Sequence, residues 1–310
     1  MKLSIIIPCK NEEGNVVKLY EKLKKILKKI KYEAIFVDDG SSDKTLDKLK
    51  ELYKKDSNIV KVISFSRNFK KEAAMLAGLK YATGEYTCII DADLQQNPKY
   101  LIEMYDYLEN NDDCDVVGMY MKNRIDKSKI LKICKSVFYK VMNKLSDIQL
   151  EYSASDFRMF RTNVRDAILS LTENNRFSKG IFSWIGFNTV YLPYNVEPRN
   201  SGKTSFGFFN YLKYAVDGIL AFSYKPLVLS TWLGVTLLFA CFIYLIILLI
   251  KVFWFDLIMK STYVIILLLL LLFGIQFILI GIVGKYISLV NDETKKRPAY
   301  IIKYKLGIKD

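Results

Sequence analysis

Two aspartates stand one residue apart directly after a short apolar run. The run Glu85–Ile90 has the composition of a buried strand, and the segment Asp91-Ala-Asp93 follows it. Two carboxylates with this spacing can converge on one hard cation, such as Mg²⁺ or Mn²⁺, whose remaining ligands are commonly substrate phosphates. A solvated turn closed by Asn97-Pro98 would explain the same residues. The segment therefore indicates a metal–phosphate site only if the rest of the chain supplies suitable surroundings.

The chain around this segment alternates apolar runs with helical patterns. The apolar runs predict strands at Leu3–Pro8, Tyr32–Val37, Val60–Phe65, Glu85–Ile90 and Asp115–Met119. Segments between them predict helices that end near Ile30 or span Lys44–Lys54, Lys71–Tyr81 and Pro98–Asn110. This alternation is typical of a doubly wound, mainly parallel α/β sheet, in which ligands bind beyond the carboxyl ends of the strands.

Polar residues follow three of the predicted strands. Asn11 and Glu12 come after the first strand, Asp38-Asp39 after the second, and Asp91-Ala-Asp93 after the fourth. We expect Pro8 to end the first strand, because proline has no N–H for the ladder. Parallel strands bring all three clusters to one edge of the sheet, so together they indicate a ligand site more strongly than any one of them alone.

Missing residues and motifs exclude several kinds of chemistry. The chain has no histidine, which excludes Ser-His-Asp and Cys-His catalysis and histidine metal sites. Its five cysteines show no C-x-x-C spacing, so we expect reduced, apolar side chains and no zinc site. No G-x-G-x-x-G follows the first strand and there is no P-loop, so dinucleotide redox chemistry and Walker-type ATP hydrolysis lose their main support.

The carboxy-terminal third predicts a membrane anchor. No charged residue occurs in the 24-residue stretches Leu227–Ile250 and Ser261–Gly284, and about 20 apolar residues suffice to cross a bilayer. The net charge of +14 and the basic end of the chain predict cytoplasmic termini by the positive-inside rule, in the cell (plasma or inner) membrane. We expect a soluble domain at 1–224, a two-span anchor at 225–290 and a basic cytoplasmic tail at 291–310.

Two segments of the domain predict contact with the bilayer surface. The stretch 128–145 forms a basic amphipathic helix on a helical wheel, and the stretch 205–222 is rich in aromatic residues. Packing on the domain's own core is the alternative for the first of them. In the tail, Pro298–Lys303 predicts a short strand that docks on the domain, contacts a neighbouring subunit or stays disordered near anionic lipid.

The motifs together resemble a known family. Ser4–Glu13, Val37–Asp43, Ser66-Arg-Asn68 and Asp91–Gln95 resemble the GT-A nucleotide-sugar domain of family 2 glycosyltransferases. A second group of segments is similar to the polyprenyl-phosphate glycosyltransferases, namely Ser155–Arg158, Asn175–Phe177 with Lys179-Gly180, Trp184–Phe187, Arg199–Ser205 and Arg297–Tyr300. Two carboxy-terminal spans fit the bactoprenol-phosphate glucosyltransferase type. The resemblance covers nearly the whole chain.

The resemblance implies a nucleotide-sugar donor at the sheet edge. It places the nucleoside against Pro8, Asn11, Glu12, Asp39 and Asp91. Asp91 and Asp93 would also hold Mg²⁺ or Mn²⁺ against the donor diphosphate. Gln95 is a candidate third oxygen ligand or a polar residue at the start of a helix.

The resemblance also implies a polyprenyl phosphate acceptor. Because the second pKa of a phosphomonoester is near ~6, the nucleophile is already ionised at neutral pH. Asp156 matches the position of a catalytic base or orienting carboxylate, and an Asp156–Arg158 structural ion pair is the alternative. The candidates to bind the acceptor phosphate are Arg124, Arg158, Arg199 and Lys203. Lys132 and Lys135 are weaker candidates, because lysine lacks the fork geometry of arginine.

The leading hypothesis is an inverting membrane enzyme that moves one glucose from UDP-glucose to undecaprenyl phosphate, for use outside the cytoplasm. A GDP-mannose-dependent synthase of the dolichol-phosphate type is the nearest alternative. A processive polysaccharide synthase would carry Q-x-x-R-W, which the chain lacks, and a non-catalytic scaffold would not need Asp91, Asp93 and Asp156. Nucleic-acid binding is disfavoured, because the membrane explains the positive charge and no recognised module is present. A homo-oligomer is expected.

Overall fold

The computed structural model describes residues 1–122, 151, 154–173, 176–198 and 262–308, with scattered positions between 227 and 250. Its strands form one eight-stranded sheet with the order β7-β5-β6-β4-β1-β2-β3-β8. The strands are β1 (Leu3–Cys9), β2 (Tyr32–Asp38), β3 (Val60–Phe65), β4 (Tyr86–Ile89), β5 (Val116–Met121), β6 (Ala154–Arg161), β7 (Thr189–Tyr194) and β8 (Ile302–Leu306).

Helices connect most of these strands. They are α1 (Val16–Ile26), α2 (Thr45–Lys55), α3 (Lys71–Tyr81), α4 (Tyr100–Asn110), α5 (Thr162–Ser170), α6 (Ser178–Trp184) and the long α7 (Thr262–Thr294). The α/β prediction is confirmed, and β3 and α3 have the predicted bounds. The sheet is mixed: β4, β1, β2 and β3 are mutually parallel, whereas β6 and β8 run antiparallel to their neighbours.

Helices cover both faces of the parallel strands. Alternate residues of β1 point to opposite faces, so Leu3, Ile5 and Ile7 pack with α1, α2 and α4, whereas Ile6 packs with α3, α5 and α6. All seven residues of β2 are buried. Burial on both faces explains why the runs are continuously apolar instead of alternating.

Pro8 corrects one expectation. It lies inside β1 and pairs with Val37, and the strand continues to Cys9. The ladder between β1 and β4 has already ended at Ile6 and Ile89. The missing N–H of Pro8 therefore interrupts no pairing on that side, and proline is tolerated as it is at a sheet edge.

The tail docks on the domain, as one of the three predictions for it proposed. β8 pairs antiparallel with β3, and Ile302 is opposite Phe65 at the carboxyl end of β3. The ring of Tyr300 stacks on Phe65 with 5.1 Å between centroids, and Phe65 makes an edge contact of 5.7 Å with Phe69. The chain thus enters the sheet at the edge where the parallel strands end.

Among the described residues, one helix is long and apolar enough to cross a membrane. Its apolar part is Leu272–Thr294, 23 residues with a mean hydropathy of 1.9, and none of its most apolar window is buried within the protein. This segment lies in α7 and overlaps the second predicted span. Eleven of the 24 residues of the first predicted span, and all of the predicted interfacial segments 128–145 and 205–222, lie outside the described residues.

Substituting Tyr300 tests the docking of the tail. We expect Tyr300→Ala to lower the unfolding free energy of the full-length protein by about 1–3 kcal/mol, because the stacked ring leaves a gap against Phe65. Tyr304→Ala is the matched control, since Tyr304 lies in β8 and is 46% exposed. Thermal unfolding in detergent should show a clear drop only for Tyr300→Ala. Equal melting of both variants would contradict the docked tail.

Candidate active site at the carboxyl edge of the sheet

The loop after β1 is tied to the loop before α2. The Asn11 side-chain oxygen accepts hydrogen bonds from the backbone N–H of Ser42 at 2.8 Å and from its hydroxyl at 3.3 Å. Asn11 itself has a positive φ of 54°. The backbone N–H of Glu12 donates to Thr45 Oγ1 at 2.8 Å, and Asn15 donates to the Glu12 carboxylate at 2.6 Å. These bonds fix two of the predicted donor-binding residues at the edge.

The two aspartates after β2 have different surroundings. Asp38 is buried and accepts hydrogen bonds from the Ser64 hydroxyl at 2.8 Å and the Ser41 N–H at 3.1 Å. Asp39 accepts from the Phe69 N–H at 2.6 Å, and its burial raises the pKa of its carboxyl. Asp38 therefore stabilises the carboxyl end of β2, whereas Asp39 connects β2 to the loop that follows β3.

Gln96 orients Asp91. Its side-chain carbonyl accepts from the Asp91 backbone N–H at 2.9 Å, and its amide donates to Asp91 Oδ2 at 3.0 Å. The same amide donates to the Ser155 hydroxyl at 3.3 Å, and the Tyr194 hydroxyl lies 3.4 Å from that oxygen. Sequence reasoning missed Gln96, because its role depends on how the chain turns back after Asp93.

Asp93 lies in a tight turn. Its side chain is buried, and Oδ1 accepts from the Gln95 N–H at 3.1 Å. Leu94 between them has a positive φ of 63°. The Gln95 carbonyl accepts from the Glu197 N–H at 3.0 Å, so the backbone of this turn is anchored to the segment after β7.

The carboxylates at this edge suit a cation whose remaining ligands come from a substrate. Asp91 and Asp93 offer two carboxylates, and the described part of the chain has no group of three or more acidic or cysteine side chains able to hold a metal ion. Mg²⁺ and Mn²⁺ tolerate such a site when phosphate and water complete the shell. The site does not fit an all-protein metal cage.

Lys71 bridges two carboxylates at this edge. Its Nζ lies 2.6 Å from Asp91 Oδ1 and 2.8 Å from Asp156 Oδ2. Pairing of β4 with β6 sets Ile89 opposite Arg158, and continuing that register by two residues sets Asp91 opposite Asp156. Like charges facing each other across strands repel. The lysine compensates for this repulsion.

The pKa values reflect this arrangement. Burial would raise the pKa of the Asp156 carboxyl, but Lys71, Lys179 and Arg158 outweigh burial and hold it well below its usual range. Burial also opposes the charge of Lys71, yet Asp156 and Asp91 raise the pKa of its ammonium. For Asp91, burial outweighs the effect of Lys71 and raises the pKa. Asp156 and Lys71 are thus a charged pair.

Two further side chains surround Asp156. Lys179 donates to the Ala154 carbonyl at 2.9 Å. Glu72 accepts hydrogen bonds from the N–H and hydroxyl of Ser178, the first residue of α6. Burial, with a smaller contribution from the charge of Asp156, raises the pKa of Glu72 to about 7. Sequence reasoning did not select Lys71 or Glu72, which begin α3 beside the recognised Ser66-Arg-Asn68 segment.

Arg158 is buried, with 3% of its surface exposed. Its guanidinium donates to the Ser155 carbonyl at 3.0 Å and lies 4.0 Å from the ring centroid of Phe182. Arg158 therefore packs inside the domain, and its role as an acceptor-phosphate ligand or as the ion-pair partner of Asp156 stays a prediction. Three other predicted phosphate-binding residues, Arg124, Arg199 and Lys203, lie outside the described residues, as do Lys132 and Lys135.

The structure thus brings the predicted donor residues and Asp156 to one edge. The sequence profile of the family described as Glycosyl transferase family 2 matches residues 4–169. A Bacillus subtilis (strain 168) protein named as a glycosyltransferase, CsbB, is 40% identical over 97% of this chain and 91% of its own length.

Two further relatives carry more specific names. An Escherichia coli (strain K12) protein named as a prophage bactoprenol glucosyl transferase homolog is 34% identical over 98% of this chain and 99% of its own length. A bactoprenol glucosyl transferase of Shigella phage SfX is 33% identical over the same shares.

A solved structure shows the same fold. Glucosyl-3-phosphoglycerate synthase from Mycobacterium tuberculosis, crystallised with Mn²⁺, UDP-glucose and phosphoglyceric acid, has a TM-score of 0.50 and 15% identity. The match covers 71% of this chain and 77% of that chain. The α/β domain described above therefore has a GT-A-like fold.

Lys70, which precedes α3, is held in a strained conformation. Its φ of 76° and ψ of 165° lie in a region that is essentially restricted to glycine. We expect Lys70→Gly to raise the unfolding free energy by about 1 kcal/mol, because relief of strain of about 1–3 kcal/mol exceeds the ~0.5–1 kcal/mol entropic cost of glycine.

Lys70→Ala is the matched control, since alanine removes the same exposed side chain but keeps the strain. Thermal unfolding of both variants in detergent should rank glycine above alanine. Alanine equal to or above glycine would show that position 70 is not strained.

Proposed function

The chain belongs to glycosyl transferase family 2, and we propose that it transfers a single glucose from UDP-glucose to a polyprenyl phosphate in the membrane. That it is a glycosyltransferase follows from the family and from the names of its relatives. The names of the bactoprenol glucosyl transferases support both the sugar and the lipid. The product would be a polyprenyl-phosphate-glucose for use outside the cytoplasm.

The observation that carries the proposal is the position of the site relative to α7. β8 begins opposite Phe65, at the carboxyl edge where Asp39 and Asp91 lie. Residues 295–301 separate the end of α7 from the start of β8, a connection that spans at most about 28 Å when fully extended. An apolar helix therefore leads directly to the edge of the sheet that carries the candidate site, as a lipid-borne acceptor requires.

The donor half of the proposed reaction uses the residues at the ends of β1, β2 and β4. Pro8, Asn11, Glu12 and Asp39 would line the nucleoside pocket, where carboxylate and amide oxygens can accept hydrogen bonds from ribose and base. Asp91 and Asp93, with Gln95 as a candidate, would hold Mg²⁺ or Mn²⁺. A bound cation would supply neutralisation of the charge that develops on the leaving nucleotide.

The acceptor half needs orientation and positive charge more than proton removal. The phosphate of the acceptor is a dianion near neutral pH, because its second pKa is near ~6. Asp156 is the proposed orienting carboxylate, and Arg124, Arg199 and Lys203 remain proposed phosphate-binding residues. Attack from the face opposite the leaving nucleotide would invert the anomeric centre.

The proposal includes a membrane topology. We place the catalytic domain and both termini in the cytoplasm, with two spans in the cell membrane, and we propose a homo-oligomer. The apolar part of α7 supports one of these spans. The fold of β8 back onto β3 supports the cytoplasmic side for the end of the chain, because the tail and the domain must share one compartment.

Labelled donors test the function. Membranes containing the protein are incubated with polyprenyl phosphate and a panel of labelled nucleotide sugars, with and without Mn²⁺ or Mg²⁺. We expect label from UDP-glucose in the lipid phase, at least 100-fold less label for Asp93→Ala, and loss of label after chelation, because each change removes stabilisation of the leaving group.

Asp112→Ala is the matched control, because this aspartate has a fully exposed side chain and its ion-pair partner Arg161 lies opposite Tyr86, at the start of β4 and away from the site. It should label lipid as the wild type does. Label from GDP-mannose instead would replace the proposed donor. If no donor labels lipid, or Asp93→Ala labels as strongly as the wild type, the proposed function is wrong.

A further inference from the structure

The bridging lysine occupies a position that its own helix disfavours. Lys71 is the first residue of α3, where the positive end of the helix dipole disfavours a cation. Its partners come from two other elements, since Asp91 follows β4 and Asp156 lies in β6. The Nζ atom lies within 2.8 Å of both carboxylates. Three separate elements therefore place one ammonium between the donor carboxylate and the acceptor carboxylate.

The proposed acceptor makes this cation necessary. Like charges a few ångströms apart repel each other strongly at a partly buried site, so a phosphate dianion beside a bare Asp156 would be repelled. The edge already carries Asp39, Asp91 and Asp93 in addition to Asp156. Lys71 contacts the Asp156 carboxylate directly, and Lys179 donates to the carbonyl of Ala154, two residues earlier.

Asp156 is poorly suited to remove a proton here. A general base must be within reach of a proton that the reaction releases, and the phosphate dianion releases none. Its contact in the structure is instead an ion pair with Lys71, whose side chain is 39% exposed. A carboxylate in this position can hold the lysine in one rotamer and keep it charged.

We propose that the Lys71 ammonium binds the phosphate of the lipid acceptor, and that Asp156 is a positioning residue for Lys71. This inference rests on the proposed function and names the group that binds its acceptor. An ammonium has three N–H donors, of which two are used on Asp91 and Asp156, so one can donate to a phosphate oxygen. If Asp91 held a metal cation instead, a second N–H of Lys71 would become available to the phosphate.

The reaction then needs no proton transfer. A lone pair of a phosphate oxygen forms the new bond to the anomeric carbon, and the bond from that carbon to the UDP oxygen breaks with its electron pair on UDP. The acceptor dianion becomes a phosphodiester monoanion, and UDP-glucose, with two negative charges, leaves UDP with three. Lys71 stabilises the acceptor charge before attack, and the total charge is conserved.

Steady-state kinetics of the full-length protein in lipid nanodiscs separates the two roles. We expect Lys71→Met to raise the KM for polyprenyl phosphate at least tenfold while the KM for UDP-glucose changes less than threefold. Lys71→Arg should restore much of the loss, because arginine also binds phosphate. Lys80→Met, an exposed lysine of the same helix, is the matched control and should match the wild type.

Asp156→Asn distinguishes positioning from base catalysis. A positioning role predicts a raised acceptor KM, smaller than that of Lys71→Met, and an unchanged shape of the pH profile. Loss of a general base would lower kcat about 10²–10⁴-fold with little change in acceptor KM. That result, or a Lys71→Met variant that changes the donor KM and leaves the acceptor KM unchanged, would overturn the inference.

A binding measurement without a nucleotide sugar tests the role of Lys71 independently of the donor. Farnesyl phosphate and uncharged farnesol are titrated separately into the wild type and Lys71→Met, followed by intrinsic tryptophan fluorescence. We expect the phosphate to strengthen binding to the wild type and to have little effect on Lys71→Met. An equal preference for the phosphate in both proteins would overturn the inference even if sugar transfer is confirmed. Failure of sugar transfer in the labelling experiment would instead overturn the proposed function.

Discussion

The ion pair of Lys71 with Asp91 and Asp156 is the interaction on which the site depends. The two carboxylates come together because β6 runs antiparallel to β4, and the register that pairs Ile89 with Arg158 sets Asp91 opposite Asp156 when it is continued by two residues. Without a cation between them, this register would be electrostatically unfavourable. The lysine that supplies the cation is held at the start of α3 by a preceding residue in a strained conformation. The sheet register, the loop after β3 and the site therefore constrain one another.

The same loop connects the site to the tail that follows α7. Phe69 lies in this loop, and its backbone N–H donates to Asp39 while its ring contacts Phe65. Phe65 in turn stacks on Tyr300, just before β8. A series of aromatic contacts thus leads from the end of α7 to the loop that presents Lys71. This arrangement fixes where the tail that follows α7 enters the sheet relative to the site, which suits the proposed acceptor in the bilayer.

Local patterns in the sequence predicted much of the sheet, including the strand ends at which Asp39 and Asp91 lie. β1 to β4 are buried on both faces, so their apolar runs are visible without knowledge of the fold. Pro8 was wrongly expected to end β1, because the effect of a proline depends on which neighbouring ladder has already ended. The roles of Lys71 and Gln96 were not predictable, because both depend on the pairing of β4 with a strand more than 60 residues later in the chain. No spacing within one segment reveals such a contact. The acceptor residues Arg124, Arg199 and Lys203 remain predictions from the sequence.

A double-mutant cycle between Lys71 and Asp156 tests the central interaction most directly. The unfolding free energies of the wild type, Lys71→Met, Asp156→Asn and the double variant are measured on the full-length protein in detergent, without substrates. The bridged arrangement predicts a coupling energy of at least about 1 kcal/mol, since partly buried charged partners in contact are not independent. A coupling energy below about 0.3 kcal/mol would show that the two side chains act independently and would contradict the account of the site.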